Sequence, residues 1–373
     1  MVNKNTQRDI RWWVPKIGAA EKVFMDQALS ADFPNEGRLT ALFEKKIAGL
    51  LGVKHAVAVT SGTAAIFLAL KALKIGRGDE VIVPDATFIA TANAVDMCGA
   101  TPVLVDIDPA TMCMSPDAFE RVITRRTKAV IPVHVSGRAG HIESIARIAK
   151  KKGIYIVEDA AEALVSKCRG GYLGAIGEFG CFSFSPHKII TTGQGGIVVT
   201  NSDKMNISLR ELKDQGRPKR GTGGDDIHNV IGYNFKFTDL QAAVGLGQLT
   251  YLSSRLKRMK EIYLRYVKNL EGIDGINLFC FNTDQGESPQ WVDAIVDRRD
   301  AMDKYLMARG IECRRYWFPI HTQLPYKMSD KKFPNSVRSS PKALWLPSNF
   351  MMSDSDIDMV CSFIKRFLWN NPN

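Results

Sequence analysis

The chain has 373 residues, 45% of them hydrophobic and 24% charged, which is the balance of an ordinary globular protein and excludes collagen-like, disordered and membrane-embedded classes. Its formal net charge of +11 implies either a nucleic-acid surface or an anionic small-molecule ligand. The second is favoured and no nucleic-acid partner is expected, because the basic residues are dispersed and no helix-turn-helix, zinc-finger or aromatic-plus-basic stripe accompanies them.

The opening MVNKNTQRDIRWWVPKIG lacks a long apolar run and a small-residue cleavage site, so no secretory signal is expected. No stretch reaches the roughly 18 uncharged apolar residues of a spanning helix, and the expectation is a cytoplasmic protein with no membrane partner. Seven cysteines, an odd number without a C-x-x-C pair, point to reduced thiols. Residues 17–30 and 38–51 have helical periodicity; HAVAVT (55–60) reads as a strand and SGTAAIFLALKAL (61–73) as a helix opened by a serine cap. EVIVP (80–84), TPVLVDI (101–107), KAVIPVHV (128–135), GIYIVEDA (153–160) and GCFSFS (180–185) are further strands, mostly separated by helix-length segments. Short, continuously apolar strands alternating with helices predict a doubly wound α/β domain with a parallel sheet covered on both faces. Beyond about 250 the pattern changes to a long basic helix, two or three strands and the Pro-rich RRYWFPIHTQLPY (314–326). Within that helix SSRLKRMK (253–260) is spaced like a wet face. The expected division is a large domain over 1–250, including an N-terminal helical segment, and a smaller one over 251–373.

In such sheets ligands collect at the carboxyl ends of the strands. After the first strand, Ser61, Gly62 and Thr63 open a helix; they form either an anion cup for one phosphate or an ordinary N-cap with a tight turn. No dinucleotide or Walker pattern occurs. Asp159 ends another strand, where it could keep a heteroaromatic nitrogen protonated or simply cap the next helix, and Glu162 follows one turn later. Phe88 lies beyond the strand ending at Pro84, either as a flat surface for a planar ligand or as core. FSFSPHKIITTGQGGIVVTN (182–201) then places Ser183 and Lys188 between two apolar stretches. A phosphate cup, a carboxylate, a flat aromatic and a strand-end lysine in that order suit pyridoxal phosphate, whose aldehyde a lysine amine holds as a Schiff base.

SGTAAIFLAL, VIVPDATFIATANAV, VEDAAEA, FSFSPHKIITTGQGGIVVTN and GYNFKFTDLQAAVGLGQL together resemble the DegT-type (DegT/StrS) sugar aminotransferases, over nearly the whole chain. The resemblance implies fold type I: a mostly parallel, seven-stranded-type sheet with helices on both faces and a smaller C-terminal α+β domain. It implies Lys188 as the lysine bonded to pyridoxal phosphate and as the proton-moving base, and Asp159 as the partner of the pyridine nitrogen. Ser61, Gly62, Thr63 and Ser183 become phosphate ligands, Phe88 the stacking residue, and Glu162 a contact to the ring face or hydroxyl. Asn234 becomes a residue inserted into the phosphate site of the other subunit in a homodimer with shared active sites.

The reaction so implied runs from L-glutamate through pyridoxamine phosphate to a keto sugar, giving an amino sugar for a surface polysaccharide such as a lipopolysaccharide. The acceptor reads as a nucleotide-linked 4-keto-6-deoxyhexose or, alternatively, an oxidised sugar acid such as 8-keto-3-deoxy-octulosonate. A related dehydratase carries histidine in place of the lysine; here His187 is the neighbour and Lys188 holds the register, which favours transamination. ALSADFPNEGRLT (28–40) and RRYWFPIHTQLPY, with Trp317 and Phe318, depart from the family pattern where substrate binds. His187, Arg315 and His321 are the candidate substrate contacts; Arg217, Lys219 and Arg220 read as a further basic loop or merely a solvated one. A metal-dependent hydrolase is disfavoured because the six histidines never form a ligand-like pair. A non-catalytic regulatory protein on the same fold would have no need of Lys188 together with Asp159.

Overall fold

The computed structural model describes residues 9–31, 34–218 and 226–370; Lys219 and Arg220 lie outside them. The N-terminal part holds helices α1 (Ala19–Leu29) and α2 (Arg38–Leu51), then strand β1 (His55–Val59), α3 (Gly62–Ala72), β2 (Glu80–Pro84), α4 (Ala90–Met97), β3 (Thr101–Val105), α5 (Pro116–Arg121), β4 (Thr127–Val130), α6 (Ile142–Lys152) and β5 (Tyr155–Asp159). A short hairpin, β6 (Lys167–Cys168) and β7 (Gly171–Tyr172), precedes β8 (Phe179–Ser183), β9 (Gly196–Thr200), α7 (Asp203–Lys213) and α8 (Asp239–Thr250). Seven of these strands form one sheet in the order β1-β9-β8-β5-β4-β2-β3.

The sheet is parallel except at β9, which runs antiparallel to both β1 and β8. The cause lies in the link: residues 184–195 contain no helix, and a parallel return needs a crossover of a dozen or more residues, usually helical. β1, β2, β5 and β8 therefore all end at one edge. The strands bury nearly every side chain, because apolar clusters cover both faces: α3 and α4 pack on one, α2, α6 and α8 on the other.

The C-terminal part opens with α9 (Leu252–Leu270) and builds a four-stranded antiparallel sheet, β10 (Ile276–Leu278), β11 (Val292–Val296), β13 (Ala343–Leu346) and β12 (Arg314–Arg315), with α10 (Arg299–Met307), α11 (Pro334–Ser339) and α12 (Asp354–Trp369). Two details differ from the sequence reading. The first described residues pack on the C-terminal part: Ile10 bridges Ile311, and the Asn349 side chain donates to the Arg11 carbonyl at 2.8 Å. Arg255 of α9 is inside rather than on a wet face, donating to the carbonyls of Ile189 and Lys16 and to Gln248. One apolar cluster runs unbroken from Ile10 to Phe367, so the two parts share a core. Among the described residues no helix is long and apolar enough to cross a membrane.

Candidate active site

At the carboxyl edge of the sheet lies a cavity of about 290 Å³ lined by Ser61, Gly62, Thr63, Phe88, Asp159, Glu162, Ser183, His187 and Lys188. Ser61 caps α3, its hydroxyl accepting from the Ala64 N–H at 3.1 Å, so both sequence readings of this turn hold at once. The first N–H groups of a helix have no intrahelical partner, and the residues that open α3, Ser61 to Thr63, line this cavity. Two close approaches make the cup narrow. A Cβ at Gly196 would lie 2.4 Å from the Ser61 carbonyl, and one at Gly62 would lie 3.0 Å from the Ser183 Cβ.

Asp159 ends β5 and is buried. The Thr91 hydroxyl donates to its Oδ2 at 2.7 Å and the Ala161 N–H to its Oδ1 at 3.2 Å. Burial pushes its carboxyl up; Thr91, Ala161 and the positive charge of Lys188 oppose this without cancelling it. Its neighbour Glu158, pointing the other way across the strand, accepts from the backbone of Gly174, Ile176 and Gly177 and pairs with His134, which anchors the strand end.

Lys188 sits on the turn beyond β8, which ends at Ser183 rather than 185. Gln290 holds the turn from both sides: its Oε1 accepts from the Ile189 N–H at 3.1 Å and its Nε2 donates to the His187 carbonyl at 3.3 Å. The Lys188 ammonium lies 4.9 Å from the Trp291 ring centre and 3.4 Å from Glu162 Oε1. Glu162 Oε2 accepts from the Ser136 N–H at 2.8 Å. Burial pushes Glu162 up, and Lys188 and Ser136 oppose it. Ser136 occupies the left-handed region at φ 55, an uncommon conformation for a non-glycine residue, and it aims that N–H inward while its hydroxyl bonds Asp293 and Trp345 of the C-terminal sheet. His187 lies tilted against Trp12, ring centres 5.3 Å apart; burial, then the charges of Arg314 and Lys188, pull its imidazole down.

Three expected contacts stand elsewhere. Arg315 points outward to Asp303 at 2.7 Å, and strand alternation puts Arg314 into the cavity in its place. His321 is fully buried, its Nδ1 on Asp85 at 2.7 Å and its Nε2 on Asp330 at 3.2 Å. It braces the loop that carries Phe88 and does not line the cavity. Arg217 is held by Asp214 and Asp226. Trp317 lines the cavity, whereas Phe318 is 74% exposed. Asn234 is exposed, bridged through its backbone to Asp214, and lies outside this cavity.

The residues fit a planar, cationic, phosphate-bearing ligand. A buried carboxylate whose burial its own chain does not offset needs a positive partner, and Asp159 faces a half-exposed Phe88 ring and an amine, with a helix N-terminus at the same cavity. These demands together define the class of pyridoxal-phosphate-dependent enzymes. The DegT/DnrJ/EryC1/StrS aminotransferase family matches residues 15–365, and the chain belongs to that family. It is a pyridoxal-phosphate-dependent aminotransferase.

The GDP-perosamine synthase of Caulobacter vibrioides is 35% identical over 363 residues, covering 95% of this chain and 97% of that protein. The spore coat polysaccharide biosynthesis protein SpsC of Bacillus subtilis is 35% identical, with 94% and 95% covered. Among solved structures, the putative sugar aminotransferase Spr1654 of Streptococcus pneumoniae superposes in its PMP form with a TM-score of 0.92 at 27% identity, covering 97% of this chain and 99% of that one; a PLP form of the same protein is also similar.

When bound, pyridoxal phosphate supplies an aldehyde that takes up an amino group and a cationic ring that withdraws electrons from the adjacent carbon. The chain supplies the rest. Asp159 would hold the proton on the ring nitrogen, itself held by the Thr91 hydroxyl. Ser61, Gly62, Thr63 and Ser183 would seat the phosphate, and Phe88 would cover the ring. The Lys188 amine would move the proton at the reacting carbon, placed by Gln290 through the backbone on both sides of it and by Glu162 through its ammonium. Sequence reasoning missed Thr91, Ser136, Gln290, Trp291 and Arg314. Thr91 alone had a local signal, lying in the first turn of the helix that follows Phe88.

Proposed function

We propose that the enzyme moves an amino group from L-glutamate to the ketone of a nucleotide-linked 4-keto-6-deoxyhexose, in the cytoplasm, to supply a surface polysaccharide. The observation that supports this most directly is the likeness, over almost the full length of both chains, to a protein named for a GDP-linked sugar. The cavity is open on its Phe88 side, where that side chain is 53% exposed, which leaves room for a bulky acceptor. The test is direct. Purified holoenzyme should be yellow, lose its colour on borohydride treatment and shift its absorbance when glutamate is added. The pyridoxamine form should then aminate a keto sugar in a mass-spectrometric screen. An enzyme that aminates simple keto acids but no keto sugar would sink the reading.

The homodimer with shared sites belongs to the same proposal. Asn234 follows the exposed Ile227 and Ile231, 60% and 86% accessible, in the sequence, and exposed apolar residues suit a surface that a second copy covers. Asn234→Ala and Lys188→Ala proteins should each be inactive alone. Unfolded and refolded together, they should regain about a quarter of wild-type activity, since half the dimers are mixed and each mixed dimer has one intact site. No regain from a well-folded mixture argues against sharing.

A second acceptor, a sugar acid such as 8-keto-3-deoxy-octulosonate, is favoured by one observation: Arg314 lines the cavity, and among the described residues its side chain has no ion-pair partner.

A further inference from the structure

Arg138 and Asp293 form a buried ion pair between the two parts of the molecule. Arg138 follows β4, on the loop that carries Ser136, and Asp293 lies on β11; each is 1% exposed. The guanidinium meets the carboxylate with two bonds, at 2.7 and 2.8 Å, and its Nε donates to the Thr111 carbonyl at 3.0 Å. The Tyr316 hydroxyl donates to the same carboxylate, and the rings of Phe279 and Phe281 flank the guanidinium, their centres 4.8 and 5.0 Å away. Such a pair adds little stability, because apolar residues of similar volume often serve a core as well. Its use lies in what it holds in place.

What it holds is Ser136. The Ser136 hydroxyl donates to Asp293 Oδ2 at 2.9 Å and accepts from the Trp345 indole N–H at 2.9 Å. A non-glycine residue at φ 55 persists only where its surroundings over-determine it. These two bonds do so, together with a close approach next door: a Cβ at Gly137 would lie 2.2 Å from the Ser288 carbonyl oxygen. Both backbone groups of Ser136 then meet the supports of the amine. Its N–H donates to Glu162 Oε2 at 2.8 Å, and its carbonyl accepts from the Gln290 N–H at 2.8 Å. Glu162 lies 3.4 Å from the Lys188 ammonium, and Gln290 clamps the backbone at residues 187 and 189. The two groups that place Lys188 thus depend on one residue, and that residue depends on Asp293.

The turn needs such an anchor. Residues 184–195 contain neither helix nor strand, so the backbone around Lys188 has little rigidity of its own. Asp293 belongs to an inner strand of the four-stranded sheet, opposite Trp345 of β13, and a site held by a strand is more precise than one held by a loop. A misplacement of about 1 Å can cost on the order of 100-fold in rate.

We propose that Asp293, gripped by Arg138, is a positioning residue for amino transfer: through Ser136 it sets both Glu162 and Gln290, and through them the Lys188 amine. The inference rests on Lys188 being the amine that moves the proton. Two variants test it, with thermal melting and cofactor absorbance as controls for folding. Ser136→Ala removes the bond by which Asp293 reaches Ser136 and leaves the ion pair whole. Arg138→Met combined with Asp293→Val removes both charges together, so that neither is left buried alone.

In a single turnover of holoenzyme with L-glutamate, each variant should lower the limiting rate on the order of 10- to 100-fold while half-saturating glutamate stays within about threefold. In the full chain without cofactor, hydrogen exchange should quicken in the segments carrying the Ile189 and Gln290 N–H groups and stay unchanged in β2. In a Glu162→Gln background, Ser136→Ala should cost a smaller factor than it costs in wild type, as residues acting in one chain do.

The smaller factor assigns the Glu162 arm, and the faster exchange assigns the Gln290 arm. The proposal is overturned if folded Ser136→Ala transfers amino groups within about twofold of wild type, or if its loss shows neither signature. It is also overturned if the apolar pair folds and keeps the wild-type rate, which would trace the Ser136→Ala loss to Trp345. Should the apolar pair not fold, Ser136→Ala decides alone. Lys188→Ala is run beside them. If that variant still transfers amino groups, or wild type does not react with glutamate, the reading of the amine or of the donor fails; exchange then decides for Asp293, and unchanged exchange overturns its role.

Discussion

Lys188→Ala is expected to stop amino transfer, with each half-reaction slowed by at least about 10⁴-fold, the upper range of what a positioned proton-transfer group contributes. The reason is geometric. The amine is placed by a turn that Gln290 clamps on both sides of residue 188 and by Glu162 at 3.4 Å, so no neighbouring group can be redirected to the same carbon. The neighbouring imidazole, His187, is tilted against Trp12 with ring centres 5.3 Å apart. Borohydride reduction and peptide mass spectrometry provide an independent readout: the wild-type peptide carrying residue 188 should retain the cofactor covalently, and the variant's should not.

The same substitution has a stability signature. Lys188 is the largest opposing influence on the raised Glu162 carboxyl, so its loss raises that carboxyl further. A carboxyl that binds its proton more tightly folded than unfolded makes the native chain lose stability as pH rises from the ordinary carboxylate range through the raised value, with the cost fully present above it. The melting deficit of Lys188→Ala without cofactor should therefore be greatest near neutral pH and shrink on acidification. A deficit that stays constant with pH would show that Glu162 is not the group left unpaired.

Much of this arrangement was legible in the sequence because parallel strands buried on both faces are continuous apolar runs. The residues at or just past their ends, Ser61, Asp159 and Ser183, fall at the sheet's carboxyl edge whatever the fine detail. What the sequence hid depended on distant partners or on register. His321 looked like a cavity histidine because its partner Asp85 lies 236 positions away. Arg315 was chosen over Arg314 because β12 is only two residues long, too short for alternation to show which side chain faces inward. Ser136 takes a left-handed conformation without being glycine, so nothing in its residue type announces the N–H that fixes Glu162. The contacts of the first strip of chain are equally remote in sequence: Ile10 bridges Ile311, and the Trp13 indole N–H donates to the Pro186 carbonyl.

Asp159→Asn should separate stability from function in the opposite sense to an ordinary core substitution. In the unliganded chain the Asp159 carboxylate is buried with two hydrogen-bond donors, the charge of Lys188 offsets that burial only in part, and its raised carboxyl costs stability above the ordinary carboxylate range. A neutral amide removes that cost, so the cofactor-free variant should melt no lower than wild type at neutral pH, and the two should converge on acidification. The bound state reverses the order. The wild-type carboxylate gains the cationic ring nitrogen as a partner; the amide does not, and the ring loses the group that keeps it protonated. Cofactor should raise the melting temperature of wild type more than that of the variant, and amino transfer should fall about 10²- to 10⁴-fold. Thr91→Val, which removes the donor 2.7 Å from Asp159 Oδ2 while leaving the carboxylate in place, should produce a smaller loss of the same kind. If Asp159→Asn melts well below wild type without cofactor yet transfers amino groups at the wild-type rate, the carboxylate is structural and the ring is held by another group.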